Sequence, residues 1–238
     1  MSTRLEAIER QVAAIGGWLT PKEGRLLYQL ARRCTGCGVI VEIGSWKGKS
    51  TIWLANGARD GGGSTVFAID PHTAVSDNLA TQSAVPTLEE FTGNIRAAGV
   101  DDLVVAMVTT SAEAARGFDR PVELIFIDGA HDYESVALDL ELWFPKVVDG
   151  GTIAFHDTTA WEGPRRLVAE RVFRGSWSRH ARFVDSTTVA NKVARNSSLD
   201  RLRNRYTLAI KSLCDAGSRM PVPKRVRSGG RWLLERLT

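Results

Sequence analysis

Acidic residues follow two apolar segments that have the composition of buried strands. Asp128 comes directly after residues 124–127, and Asp157 comes soon after residues 152–155. If both segments are parallel strands of one sheet, their carboxyl ends meet at the same edge. Two carboxylates placed there repel each other unless a cation lies between them, and oxygen ligands suit Mg²⁺. The pattern predicts a divalent metal held by Asp128 and Asp157, while helix capping and loop support remain the alternative roles.

Two histidines stand beside these acids. His131 lies three residues after Asp128, one turn away if a helix begins there, and His156 directly precedes Asp157. An imidazole titrates near neutral pH and suits a general base. Since successive strand residues point to opposite faces, His156 is expected to point away from a pocket that Asp157 faces. We therefore favour His131 as the base. His156 as base or metal contact, and a structural role for either histidine, stay open.

A glycine-containing turn follows the first apolar run, residues 39–43. Glu42 precedes Gly44, and Gly48 comes four residues later, a spacing that permits a tight turn and close backbone approach to a ligand. The spacing differs from the patterns of dinucleotide dehydrogenases and phosphate loops. Asp70 ends the next apolar run, where a carboxylate can accept hydrogen bonds from both hydroxyls of a ribose. The alternative for Asp70 is a surface carboxylate that begins a loop.

The elements that must position these residues alternate between strands and helices. Strands are predicted at 39–43, 66–69, 104–108, 124–127 and 152–155. Helices are predicted at 50–56, ended by Gly57, at 88–98, ended by Gly99, and at 133–147, ended by Gly150-Gly151. Such alternation predicts an α/β fold with a doubly wound, mostly parallel, Rossmann-like sheet and right-handed crossovers.

Further elements flank this core. Helices are predicted at 4–15 and 20–33, the second with a Thr20–Glu23 capping box, and again at 165–173 and 199–213. Short strands near 181–184 and 188–193 predict an antiparallel edge, which could also pair two subunits into a homodimer. We divide the chain into an N-terminal helical cap (1–35), a cofactor-binding catalytic domain (36–194) and a basic C-terminal helix and tail (195–238).

Composition narrows the class of protein. The chain has 238 residues, a net charge of +4 and 43% hydrophobic residues, and no apolar run approaches the roughly 18 residues of a membrane span. The polar N-terminus has no signal-peptide core, so a cytoplasmic location is expected. Cys34 and Cys37 have no second pair to complete a zinc site, and three cysteines suit a reducing compartment. The basic stretch after Arg195 favours a solvated tail, with nucleic acid or a membrane surface as alternatives.

The run from Val41 to Ser50 resembles the class I S-adenosylmethionine-dependent methyltransferases, and within them the catechol-type and bacterial sugar O-methyltransferase branch. The resemblance covers roughly residues 20–160. It implies that the glycine loop holds the methionine part of S-adenosylmethionine, that Asp70 binds the ribose and that Ser111 lies by the adenine. Without the resemblance, Ser111 is predicted to be a helix cap. The implied cofactor-binding residues are Glu42, Gly44, Ser45, Gly48, Ser50, Asp70, Ser111, Ala112 and Asp128.

The same resemblance implies methyl transfer to a hydroxyl, with a Mg²⁺ ion that orients the acceptor. The catechol-type enzymes have Lys where His131 stands and Asn where Thr158 stands, so a catechol acceptor is in doubt and the third metal ligand is open. A polar loop at 71–87, predicted as a lid, favours a small hydrophilic acceptor such as a sugar or glycoside, as in polysaccharide biosynthesis. Trp46 and Trp161 are candidates for stacking on a sugar face.

Two other functions fit parts of this pattern. Asp128, Asp157 and one of the two histidines could hold iron in an oxygenase on the same fold, which dependence on 2-oxoglutarate would reveal. A non-catalytic cofactor-binding module is the other alternative, although the retained acids and His131 disfavour it. Neither a nucleic-acid partner nor a membrane span is expected.

Overall fold

The computed structural model describes residues 2–73 and 87–218. Its strands are β1 Val39–Ile43, β2 Val66–Ile69, β3 Val104–Met107, β4 Val122–Ile127, β5 Val147–Phe155, β6 Ser178–Val184 and β7 Thr187–Lys192. They form one sheet in the order β3-β2-β1-β4-β5-β7-β6. The first five strands are parallel, and β7 is antiparallel to both of its neighbours. The predicted doubly wound, mostly parallel sheet with an antiparallel edge is confirmed.

Eight helices accompany the sheet in the described ranges. They are α1 Ser2–Val12, α2 Pro21–Arg32, α3 Lys49–Arg59, α4 Leu88–Ala97, α5 Ser111–Gly117, α6 Tyr133–Trp143, α7 Glu162–Leu167 and α8 Ser198–Ser218. A 3-10 turn at Phe144–Lys146 follows α6, and a π-helical turn at Val168–Phe173 follows α7. No helix within 2–73 and 87–218 is long and apolar enough to span a membrane.

Helices cover both faces of the sheet, which explains the unbroken apolar runs of its central strands. Ile40 of β1 packs into the core formed with α1 to α4, whereas its neighbour Val41 packs into the core formed with α5, α6 and the π-helical turn. Helices α1 and α2 therefore share a core with the sheet through residues such as Ile8 and Leu27. The division into 1–35, 36–194 and 195–238 stays a prediction.

The start of α2 is as predicted, because Thr20 and Glu23 form a reciprocal capping box. The predicted end of α3 at Gly57 is wrong, since the helix continues to Arg59. Gly57 lies at the contact between α3 and α2, where an added Cβ would sit 2.3 Å from the Tyr28 carbonyl oxygen. This glycine permits two helices to approach closely and does not end one of them.

The predicted boundary at Gly150-Gly151 is also wrong. Helix α6 ends at Trp143, because Pro145 cannot continue the helical hydrogen bonds, and β5 begins already at Val147. Both glycines lie within β5, and Gly150 has a φ of +84°. The partner strand β4 shifts register between Val122 and Leu124. The predicted lid at 71–87 falls mostly outside the described residues.

Replacing Gly57 with Ala should lower the free energy of unfolding by about 1–3 kcal/mol, because the new methyl group must displace the α2 backbone. Gly93→Ala is the matched control in the interior of α4, where an added Cβ meets nothing within 4 Å. It should raise stability by up to about 1 kcal/mol through helix propensity. Urea unfolding measures both, and equal effects at the two positions would contradict the close-contact explanation.

Candidate active site

The backbone of the sheet brings the predicted site residues to one edge. The parallel hydrogen-bond ladder continues one residue beyond the strands: Gly44 N–H donates to the Ile69 carbonyl, Asp128 N–H to the Ile43 carbonyl, and His156 N–H to the Ile127 carbonyl. The residues that follow β1, β4 and β5 therefore lie side by side. In the same way, Asp70 N–H donates to the Met107 carbonyl at the end of β3.

The glycine loop between β1 and α3 packs against the chain itself. Gly44 has a φ of +84°, and an added Cβ would lie 2.2 Å from the Asp128 carbonyl oxygen. Gly48, with a φ of +85°, is the residue before the first turn of α3. The backbone after β4 therefore leaves no room for a side chain at residue 44, and the predicted approach of Gly44 to a ligand stays a prediction. Trp46, between the two glycines, also has a positive φ of 42°.

Glu42 is a fully buried carboxyl group at this loop. Burial raises its pKa to about 8, with the charges of Asp128 and Asp70 adding to the shift and the hydroxyls of Ser50 and Thr51 opposing it. Its Oε2 accepts a hydrogen bond of 2.5 Å from the Thr51 hydroxyl. Among the described residues, Glu42 Oε1 and the buried Ser45 hydroxyl have no hydrogen-bond partner.

Asp70 joins the ends of β1 and β2. Its Oδ2 accepts from Trp46 N–H at 2.7 Å, and its Oδ1 accepts from His72 N–H at 2.7 Å. The side chain is 9% exposed, so Asp70 is not the surface carboxylate of the alternative interpretation. An ionised carboxylate has about four acceptor positions, and the two backbone bonds leave capacity for further donors.

The residue that caps α5 is Thr110 and not Ser111. Thr110 forms a capping box with Glu113, and Ser111 begins the helix. The Ser111 hydroxyl accepts a hydrogen bond of 2.8 Å from Trp143 Nε1. Cap preference alone did not distinguish two adjacent hydroxyl residues, whereas the Glu three residues after Thr110 does. Contact of Ser111 and Ala112 with adenine stays a prediction.

His156 lies buried among three carboxylates. Its Nδ1 is 2.9 Å from Asp128 Oδ1 and 3.5 Å from Asp157 Oδ2, and its Nε2 is 3.5 Å from Glu23 Oε2. Burial acts to lower the pKa of this imidazole, but the hydrogen bonds to Asp128, Asp157 and Glu23 raise it to about 12. The surrounding carboxylates therefore favour the imidazolium form of His156, and the choice of His131 over His156 as the general base stays a prediction.

Glu23 was missed as a site residue, because its position in the sequence predicts only the start of a helix. It is completely buried, and its Oε1 accepts hydrogen bonds from the Ser186 backbone and hydroxyl at 2.9 and 2.7 Å. Burial acts to raise its pKa, but hydrogen bonds from His156, Ser186 and Thr20 lower it to about 2. Glu23 thus connects α2, the β6–β7 turn and the acidic site.

Asp128, His131 and Asp157 come together as predicted. One ligand atom from each lies within 4.8 Å of the others, a spacing suited to a metal ion. His131 Nε2 is 3.2 Å from Asp157 Oδ2. Burial acts to raise the pKa of Asp157, but hydrogen bonds from His131 and His156 lower it well below its usual range. Burial raises the pKa of Asp128, against the effect of His156.

The predicted helical relation between Asp128 and His131 is wrong. Helix α6 begins only at Tyr133, because Asp132 caps it by accepting from Ser135 N–H. His131 precedes the helix and reaches Asp157 from a loop. Asp128 itself caps no helix, so that alternative role is excluded.

Thr158, at the position of a possible third ligand, points elsewhere. It is 1% exposed, and its hydroxyl lies 2.8 Å from the Ser186 carbonyl oxygen and 2.7 Å from the Thr188 hydroxyl. Thr158 therefore supports β7 and takes no part in the acidic cluster.

Sequence comparison covers the region that carries this site. Residues 41–158 match the sequence model of a methyltransferase domain. The matched region begins in β1 and ends directly after Asp157, so it contains the glycine loop and both acids of the site.

Curated relatives that resemble this chain include two mycobacterial proteins. The chain is 31% identical over 154 residues to a protein of Mycobacterium sp. (strain JLS), which covers 63% of this chain and 61% of the relative. It is 30% identical over 125 residues to one of Mycolicibacterium vanbaalenii, covering 52% and 49%. Both carry the description "putative O-methyltransferase". The alignments span less than two thirds of the length of these relatives.

Several solved structures share the fold of this chain. The O-methyltransferase NovP superposes with a TM-score of 0.64 at 18% identity, covering 81% of this chain and 99% of that one. The Bacillus cereus O-methyltransferase in complex with SAH has a TM-score of 0.55 at 23% identity, covering 80% and 91%. At these identities the likeness concerns the fold.

Replacing Glu23 with Gln should lower the free energy of unfolding by about 3 kcal/mol at pH 7 and by only about 1 kcal/mol at pH 3. The folded pKa lies below the usual value of 4.5, so the stabilisation is present above pH 4.5 and is lost as pH falls toward 2. Denaturant unfolding of both proteins at each pH measures the difference.

Glu9→Gln is the control, since Glu9 pairs with Arg25 at the surface. It should cost no more than about 1 kcal/mol at either pH. An equal loss for Glu23→Gln at pH 3 and pH 7 would show that the charge of Glu23 does not stabilise the fold.

Proposed function

We propose that this methyltransferase domain transfers the methyl group of S-adenosylmethionine to a hydroxyl of a small hydrophilic acceptor, with a divalent metal held by Asp128 and Asp157 and with His131 as the base. The observation that supports this most is the acidic edge beside the glycine loop, where Glu42 and Ser45 present buried polar atoms without partners among the described residues. A buried carboxyl oxygen left without a donor is costly, so a ligand with a donor group suits this place.

The residues present fit the chemistry of S-adenosylmethionine. This cofactor carries a sulfonium and an ammonium cation, and the edge offers carboxyl groups at Glu42, Asp70 and Asp128. Glu42 Oε1 would accept from the ammonium group, and the remaining acceptor positions of Asp70 would accept from the ribose hydroxyls. In this proposal the cofactor-binding residues are Glu42, Gly44, Ser45, Gly48, Ser50, Asp70, Ser111, Ala112 and Asp128. When bound, the cofactor supplies a methyl group already activated by the sulfonium.

The metal proposal rests on the Asp128–His131–Asp157 group. A divalent metal supplies positive charge that lowers the pKa of a hydroxyl beside it. Mg²⁺ accords with the two carboxylates. His156 donates to the carboxylates of Asp128 and Asp157 and orients both of them, a positioning role that neighbouring hydrogen bonds have at metal sites.

His131 is the proposed base because His156 holds its protons between carboxylates. With His131 Nε2 donating to Asp157, Nδ1 is the nitrogen that accepts the hydroxyl proton. Asp157 then stabilises the imidazolium that forms. The hydrogen bonds of His156 to carboxylates also disfavour the alternative function, an iron oxygenase. Iron sites of that class use two histidines and one carboxylate, and His156 has no nitrogen left for a metal.

For the acceptor we propose a sugar or glycoside, a mannoside being one candidate. Trp161 stacks on His131 with ring centroids 4.5 Å apart and planes 8° apart, and 47% of Trp161 stays exposed. Trp46 stacks similarly on Trp18, on the glycine-loop side. An exposed ring beside the proposed base, that of Trp161, suits the apolar face of a sugar. A cytoplasmic location and a homodimer formed through the β6 edge also stay predictions.

Asp70→Ala should weaken binding of S-adenosylmethionine at least tenfold, because it removes the acceptors for two ribose hydroxyls. Isothermal titration calorimetry measures the affinity. Asp102→Ala, an exposed carboxylate paired with Arg59, is the matched control and should bind within about twofold of the original protein. Failure of the unaltered chain to bind the cofactor would refute the proposed function.

His131→Asn should lower kcat at least a hundredfold, the range expected for loss of a general base, while Mg²⁺ affinity changes by less than about threefold. Steady-state rates on an accepted sugar give kcat, and calorimetry gives the metal affinity. A parallel loss of metal affinity would assign His131 as a metal ligand and exclude the base assignment. Asp157→Asn should abolish the metal response while S-adenosylmethionine still binds.

A further inference from the structure

Helix α8 turns a polar side toward the protein. Asn204 is fully buried, and its Nδ2 donates to the Ser178 carbonyl oxygen and hydroxyl at 3.1 and 2.9 Å. Thr207 is also buried, at 3% exposure. The helix is therefore anchored to β6 through polar residues. Of its large apolar side chains, Leu208 packs against the core, whereas four others are exposed.

That outer side carries an apolar stripe, defined as Leu199, Leu202, Tyr206 and Leu213. Their exposures are 75%, 67%, 53% and 73%. At about 100° per residue the four lie within an arc of roughly 60° on the helix. Nine large hydrophobic residues are exposed in the described ranges, and four of them belong to this one stripe. Single exposed apolar residues are ordinary, whereas an aligned set marks a binding surface.

Positive charge surrounds the apolar stripe. Arg203 and Arg205 are exposed on its two sides. Residues 195–238 contain eleven Arg or Lys and three Asp or Glu, a net charge of +8, whereas the whole chain carries only +4. The other part of the chain is accordingly acidic. The sequence after α8 also places Trp232, Leu233 and Leu234 directly beside Arg231.

We propose that α8 binds the surface of a lipid bilayer that contains anionic lipid. A basic helix with one apolar face lies in the membrane interface, with its apolar side chains among the acyl chains and its arginines at the headgroups. A second copy of the chain would bring the same positive charges together, which disfavours self-association through the stripe. Nucleic acid would engage the arginines but gives no reason for four exposed apolar residues. This surface is independent of the proposed methyl transfer.

The full-length chain should sediment with phosphatidylcholine vesicles that contain about 30% phosphatidylglycerol, and not with vesicles of phosphatidylcholine alone. Binding should weaken in about 0.5 M NaCl, because salt screens the attraction. The double variant Leu202→Gln/Leu213→Gln should lower the partition coefficient at least tenfold. Arg203→Gln/Arg205→Gln should lower it about thirtyfold, since each of the two basic residues contributes about 1 kcal/mol at an anionic surface.

Leu138→Gln is the matched control, because Leu138 is an exposed leucine on α6. It should leave the partition coefficient unchanged, and thermal unfolding confirms that all variants fold. The proposal is overturned if the unaltered chain does not sediment with anionic vesicles, or if Leu202→Gln/Leu213→Gln binds them equally well. It is also overturned if a short DNA binds more tightly than the vesicles without dependence on the stripe, or if the stripe variant instead dissociates a dimer.

Discussion

A single buried cation, the imidazolium of His156, holds the carboxyl edge of the sheet together. Asp128, Asp157 and Glu23 come from three different parts of the chain, and each lies within 3.5 Å of this ring. Without a positive charge between them, carboxylates at such distances repel each other and lose ionisation. The geometry of the proposed metal-binding carboxylates thus depends on a residue other than the proposed base.

The same interaction explains why α2 belongs to the active-site architecture. Glu23 caps its own helix, receives hydrogen bonds from the β6–β7 turn and balances the charge of His156. An element far from β6 and β7 in sequence therefore supports the antiparallel edge and the acidic site together. The proposed methyl transfer and the proposed lipid surface of α8 use different residues on this shared frame.

Local patterns predicted the elements well where local forces decide them. The bounds of β1 and β2 agree with the apolar runs, and the capping box marks the start of α2. Sequence patterns failed at Gly57 and Gly151, which lie close to the backbone of other elements: Gly57 to Tyr28 on α2, and Gly151 to Glu123 on β4. The pairing of Glu23 with His156, 133 residues apart, has no local signal. The meeting of Asp128 and Asp157 was predictable because parallel strand order alone places them together.

The contact of Gly44 with the Asp128 carbonyl oxygen limits which residues can change when the proposed acceptor preference changes. Backbone atoms alone make this junction. It therefore fixes the distance between the loop proposed to hold the methyl donor and the strand end proposed to hold the acceptor. A change of acceptor preference must come from side chains outside the junction, and Trp161 lies in a separate segment beside His131. Directed evolution toward new acceptors should therefore concentrate on residues after 158 and leave the junction unaltered.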